Sequence, residues 1–189
     1  MHKNRLEAFT DGVMAIIITI MVLQLEPPKT TTLASLIPLI PIILSYLLSF
    51  IYVGIYWNNH HHLLHASNNV SGKVMWANHN LLFWLSLIPF ATDWVNESLD
   101  QKWPVAIYGA VLFMAGLSYY ILTRALINLH GNKSAIAQAL KSTNKEKASI
   151  ALYAAGIGLS FFNTTFSLAI YIAVAAMWFV PDSRIEKKR

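Results

Sequence analysis

The residues of this chain best equipped for chemistry lie where apolar residues dominate. The segment NRLEAFTDGVMAIIITIMVLQLE, Asn4 to Glu26, is long enough to cross a bilayer and runs apolar from Gly12 to Leu25, yet Arg5, Glu7 and Asp11 stand at or inside one end of it. Ionisable groups are costly in hydrocarbon and mark a function or a partner, so Asp11, with Thr10 and Arg5, opens a functional hypothesis. Two further polar runs follow, Trp57 to His65 (WNNHHHLLH) and Trp76 to Asn80 (WANHN). Asn59, His60, His61, Asn78 and His79 can hydrogen-bond or carry positive charge against Asp11, and Trp57 and Trp76 each bring an indole N–H.

The histidines also admit a metal reading. His61 and His65 are four apart and share a helix face, and His79 completes a conceivable three-histidine site. No Asp or Glu stands beside either histidine run, however, and clustered histidines near a membrane boundary are more often interfacial or hydrogen-bonded. No metal site, cofactor or catalytic residue is therefore expected. A metal-dependent membrane enzyme is carried as an alternative.

The first helix has a second face. At about 100° per residue, Ile16, Thr19, Ile20 and Leu23 fall on one stripe, with Asp11 roughly 140° away from Ile16. Carboxylate and stripe thus face different surroundings. Spacing alone assigns such a stripe to helix packing or lipid contact.

These residues need elements to hold them, and the composition says of what kind. Of 189 residues, 56% are hydrophobic and only 12% charged, with a mean hydropathy of +0.47. That is a membrane protein and not a soluble domain of this size. Cysteine is absent, which excludes disulfides and thiolate metal sites.

Six spans are expected, about Arg5–Leu25, Leu33–Leu63, Val74–Val95, Trp103–Ile127, Ala148–Phe162 and Thr165–Val180, in one all-α domain over residues 1–189. The last two are separated only by SFFNTTFS, read as a tight hairpin around Asn163. Pro27 and Pro28 end the first helix, and Pro38 and Pro41 sit in the opening turns of the second, where a missing N–H is best tolerated. No small-residue cleavage site follows the first apolar run, so it is not read as a signal peptide. Trp94, Trp103 and Trp178 lie at span ends as interfacial anchors. Ala106, Ala110 and Gly116, and again Ala151, Ala155 and Gly158, suit close helix packing.

The formal charge of +5 is distributed by topology. Lys3, Arg5, Lys73, Arg124, Lys133, Lys141, Lys145, Lys147, Arg184, Lys187, Lys188 and Arg189 fall on one side of a six-span arrangement, and only Lys29 and Lys102 on the other, beside Asp93, Glu97 and Asp100. Twelve against two puts both termini in the cytoplasm and makes the span count even. The positive charge is then explained by topology and anionic lipid, so no nucleic-acid partner is expected. The same arrangement brings Arg5 to Asp11, Trp57 to His65 and Trp76 to Asn80 together at the cytoplasmic face.

The segment RLEAFTDGVMAIIITIMVLQL resembles the signature first helix of the transmembrane protein 175 potassium channel family: an Arg, then Phe-Ser-Asp, then an Ala-Ile-x-Ile-Thr run. Tyr56-Trp57-x-Asn59-His60-His61 and Trp76-x-Asn78, with Pro89-Phe90-x-Thr92, are similar to its prokaryotic members. Thr10 replaces the family's Ser and keeps the hydroxyl. The resemblance implies a multi-pass potassium-permeable cation channel of the cell membrane, its pore lined by the first helix of each subunit. Ile16 then falls at the narrowest hydrophobic constriction, with Thr19, Ile20 and Leu23 continuing the lining outward. Arg5, Phe9, Thr10 and Asp11 would hold the cytoplasmic helix ends together. The family's doubled-repeat members assemble as dimers, so this single-signature chain is expected to form a homotetramer in the bilayer that conducts monovalent cations. A secondary transporter is the other alternative, for which repeated halves and helices broken at the midplane would be expected.

Overall fold

The computed structural model describes residues 3–67, 69–131, 134, 137 and 144–179. Every regular element among them is helical. Helix α1 covers Lys3–Leu23, a 3₁₀ segment Leu33–Leu39, α2 Ile40–His65, α3 Gly72–Ser86, α4 Ile88–Glu97, α5 Lys102–His130, α6 Asn144–Ser160 and α7 Thr164–Phe179. With α3 and α4 taken as one broken rod, there are six rods.

Local sequence explains the boundaries. Helix α1 stops before Pro27-Pro28, and Pro41 occupies the first turn of α2. Ser71 caps α3 by accepting from the Val74 N–H at 3.4 Å. Gly131, at φ 83°, ends α5 with its N–H donated to the Ile127 carbonyl at 2.8 Å. The hairpin between α6 and α7 turns at Phe161 and Phe162, and the Asn163 side chain caps α7 by accepting from the Phe166 N–H at 3.1 Å.

The expected third span is a single helix, and here the structure corrects it to two. Pro89 lies in the first turn of α4. It has no N–H to give, and its ring displaces the carbonyl one turn earlier, so the rod breaks at Leu87. The second span likewise opens as a 3₁₀ segment containing Pro38. Among the described residues three helices are by themselves long and apolar enough to cross a membrane: Lys3–Leu23, Leu33–His65 and Lys102–His130.

Helix α5 is the centre of the packing, wedged against α3, α4, α6 and α7. Of its apolar stretch 56% is buried, against 28% in α1 and 17% in the second rod. Those two helices therefore keep large apolar faces that lipid or other chains must cover.

A knot of tyrosines ties the rods together. Tyr52 donates to the Tyr171 carbonyl at 2.5 Å, and the Tyr171 hydroxyl donates to the Val105 carbonyl at 3.3 Å. The Tyr171 ring fills the space that small residues leave. A Cβ on Gly109 would lie 1.9 Å from its hydroxyl oxygen, and one on Gly156 would lie 2.5 Å from a ring carbon. This revises the expected packing face of α6. Ala151, Ala155 and Gly158 are exposed, and the close approach is at Gly156. The neighbouring face is used because Tyr171 needs a gap on both α5 and α6. Polar links set the depth of other pairs: Ser49 with Thr92 at 2.7 Å and Tyr108 at 3.0 Å, Ser45 with Asn96, and Asn80 with Ser118 at 2.6 Å.

Candidate functional site

Helix α1 presents three faces. Leu6, Thr10, Met14, Ile17 and Met21 are buried against the chain's own helices. Their spacing of three and four keeps them on one stripe. Ile16, Ile20 and Leu23 are 60%, 45% and 77% exposed, and Thr19 is exposed beside them. The stripe singled out from spacing is thus left largely uncovered within a single chain.

The third face carries Lys3, Glu7 and Asp11, and it forms a ladder with α2. The two helices run antiparallel, and each rung is one turn from the next. Lys3 donates to the Ser67 carbonyl at 3.0 Å and approaches that of Leu64 at 3.4 Å, placing a cation on carbonyls at the C-terminal end of α2. Glu7 meets His61 at 3.0 Å, a charged pair when the imidazole is protonated. Asp11 accepts from the Trp57 indole N–H at 2.9 Å. Glu7 and Asp11 are four apart on α1, as Trp57 and His61 are on α2, so one register satisfies both rungs.

Behind the ladder runs a fully buried chain. The Asn78 amide donates to the Thr10 hydroxyl at 2.9 Å, and its carbonyl oxygen lies 2.7 Å from His60 Nε2. That geometry places the imidazole proton on Nε2. His60 Nδ1 is buried without a hydrogen-bond partner among the described residues. Three helices, α1, α2 and α3, are pinned through these three side chains.

The remaining expected site residues are placed more loosely. Asn59 donates to the Ile55 carbonyl on its own helix at 2.8 Å, and His79 bonds the Met75 carbonyl at 2.8 Å, so neither reaches Asp11. An amide or imidazole on a helix that can bond the carbonyl one turn back does so at lower entropic cost than reaching a neighbour. Phe9 is half exposed and stacks on His79 with ring centroids 5.5 Å apart. Trp76 is 77% exposed. Arg5 is exposed as well and shares the outward face of α1 with Ile16. Asp11 is also exposed, where the sequence suggested a buried site; α3 packs on the Thr10 side of α1, and Asp11 meets Trp57 on α2 at the rim of that contact. Glu7 was missed because its partner His61 lies on another helix. Its spacing of four from Asp11 was the available signal.

Comparison with known proteins now bears on these residues. The family described as "Endosomal/lysosomal potassium channel TMEM175" matches residues 5–89, the part that holds the Glu7 and Asp11 rungs and the buried chain. A potassium channel of Chryseobacterium sp. (strain P1-3) is 51% identical over 187 residues, covering 99% of this chain and 97% of the relative. The chain belongs to the TMEM175 potassium channel family. A potassium channel of Chamaesiphon minutus is 27% identical over 191 residues, covering 92% of this chain and 94% of that one. The crystal structure of a lysosomal potassium-selective channel TMEM175 homolog from Chamaesiphon minutus superposes with a TM-score of 0.81 at 23% identity, covering 95% of this chain and 97% of that one. That likeness shows the TMEM175 fold. Family and relatives are named as potassium channels and not as enzymes, which answers the enzyme alternative.

Proposed function

We propose that this chain is one subunit of a passive potassium channel, residues 1–189 acting as a single six-span domain with both termini in the cytoplasm. Four copies surround a central axis, and the outward stripe of each α1 lines the pore. One observation carries this reading: Ile16, Thr19, Ile20 and Leu23 are left exposed on a helix whose opposite side is tightly packed. Fourfold closure converts that stripe into stacked rings.

The rings differ in chemistry. Ile16 offers only hydrocarbon, so four of them narrow the path and dewet it, which is the behaviour of a gate. Thr19 supplies oxygen. Its hydroxyl proton is donated to the Ala15 carbonyl of the same helix at 2.9 Å, so what faces outward is the oxygen lone pairs. That is the polarity a partly dehydrated potassium ion requires. Ile20 and Leu23 continue the apolar lining. Glu7, Thr10, Asp11, Trp57, His60, His61 and Asn78 then act as the clamp that sets the rotation of α1.

The orientation is supported by charge. Lys3 and Arg5 on α1, Lys73 on α3 and Arg124 on α5 lie at one end of the bundle, with Lys29 and Lys102 at the other. Lys133, Lys141, Arg184, Lys187, Lys188 and Arg189 lie outside the described residues.

The test is ion flux from liposomes containing the purified protein. Potassium is expected to move down its gradient without nucleotide or counter-ion, and faster than sodium. Ile16→Asn, which hydrates the constriction, is expected to raise the current and weaken discrimination among monovalent cations. Strictly coupled exchange sinks the reading, and an assembled Ile16→Asn protein with unchanged conductance and selectivity removes Ile16 from the pore.

A further inference from the structure

A groove of about 750 Å³ lies between the start of α3 and the last turns of α5, away from α1. Its position follows from the packing of the two helices. They run antiparallel, and their register is set by the Asn80 amide donating to the Ser118 hydroxyl at 2.6 Å. Two turns from that bond, Lys73 on α3 comes beside Arg124 on α5. Both are exposed and both line the groove, together with Tyr120, Ile121, Asn128 and Leu129. Among the described residues no carboxylate lines it.

The groove is built to hold an anion and is not a bare pair of surface charges. Arg124 is held in place twice by Tyr120: its Nε donates to the phenol oxygen at 3.0 Å, and its guanidinium lies 5.1 Å from the centre of the ring. Both contacts leave the outer nitrogens of the fork directed elsewhere, the part of the group that matches a phosphate bidentately. On the membrane side of Arg124 the wall turns apolar at Ile121, which is more than 40% exposed, while Leu129 lies on the other side of Arg124, nearer the helix end. Depth fits as well. From Pro104 to Arg124 the helix rises about 30 Å, one hydrocarbon thickness, so the guanidinium stands at headgroup level with Ile121 toward the membrane core. The groove lined by Glu26, Asp93 and Glu97 carries the opposite charge.

Resting on the membrane-spanning reading above, we infer that this groove binds the headgroup of an anionic phospholipid, with Lys73 and Arg124 on the phosphate and an acyl chain along Ile121 toward the membrane core. A free phosphate ion would use the cations and leave the apolar wall uncovered. A lipid uses both. A basic residue at a membrane surface changes anionic-lipid binding by about fivefold, so the pair together is worth about 30-fold.

The experiment titrates phosphatidylglycerol, and phosphatidylcholine in parallel, into the detergent-purified full chain and counts bound lipid by native mass spectrometry. Lys73→Gln with Arg124→Gln is expected to weaken phosphatidylglycerol binding about 30-fold and leave phosphatidylcholine unchanged. Lys29→Gln with Lys102→Gln, which removes two cations at the opposite end of the bundle, is expected to do neither. Should the double variant fail to fold, Lys73→Gln alone, an exposed change at a helix start, is read in its place, with an expected loss of about fivefold. Undiminished phosphatidylglycerol binding overturns the inference. Displacement of the lipid by inorganic phosphate overturns it in favour of a soluble-phosphate site, and a smaller oligomer with normal lipid binding assigns the groove to a second copy of the chain. Lipid binding is read without conduction, so a protein that binds phosphatidylglycerol here and passes no potassium refutes the channel reading alone.

Discussion

Replacing Asn78 by leucine tests whether the buried Thr10–Asn78–His60 chain holds α1, α2 and α3 together. Leucine keeps the volume and deletes both hydrogen bonds of a fully buried amide. Two magnitudes compete. A stranded buried polar group costs about 1–3 kcal/mol, whereas interhelical hydrogen bonds in membranes average about 0.6 kcal/mol, because the unfolded state in lipid also finds partners. The geometry decides between them for each end of the chain. Thr10 loses a donor, but its hydroxyl can turn to a carbonyl of its own helix at little cost. His60 has no such escape: its Nδ1 is already buried without a partner among the described residues, so changing tautomer restores nothing. The expected loss is therefore about 2 kcal/mol, nearly all from the histidine end. Equilibrium unfolding in lipid–detergent micelles measures it. Thr10→Val is expected to cost about half as much, and Asn78→Leu combined with His60→Leu to recover part of the loss, because an apolar pair strands nothing. An Asn78→Leu protein as stable as the parent refutes the argument.

Thr19→Val removes the outward hydroxyl at similar volume and is expected to change potassium-over-sodium selectivity in liposome flux while the proposed tetramer assembles normally. Asp11→Ala breaks an exposed, charge-assisted bond from Trp57, so it is expected to cost about 1 kcal/mol or less of assembly stability, and Asp11→Asn less still; a normally stable assembly with reduced cation current would instead put this carboxylate in the ion path. Gly109→Ala drives a methyl into the Tyr171 hydroxyl and is expected to lower the melting temperature, with partial rescue by Tyr171→Phe, which removes the nearest atom; Gly156→Ala meets the ring itself and is expected not to be rescued.

The sequence was enough to place the six rods, because hydrophobic run lengths and proline positions act locally. Pro41 at the start of α2 and the turn at Asn163 need no distant partner to be read. The break at Leu87 was less visible, since Pro89 in an apolar run marks a kink or a boundary and only packing tells which. The outward stripe of α1 was also legible: helical period alone aligns Ile16, Thr19, Ile20 and Leu23.

What period cannot supply is rotation relative to neighbours. That depended on α1 and α2 meeting in one antiparallel register, which joins Glu7 to His61 and Asp11 to Trp57 across more than forty residues of chain. The same is true of His60, His61, Asn59 and His79, four polar residues of similar appearance in sequence. Packing buried the first and bonded it to Asn78, paired the second with Glu7, and left the other two on their own backbones. Small residues show the limit most plainly. Composition marked Ala155 and Gly158 as readily as Gly156, and only the position of the Tyr171 ring decided which face of α6 had to be bare.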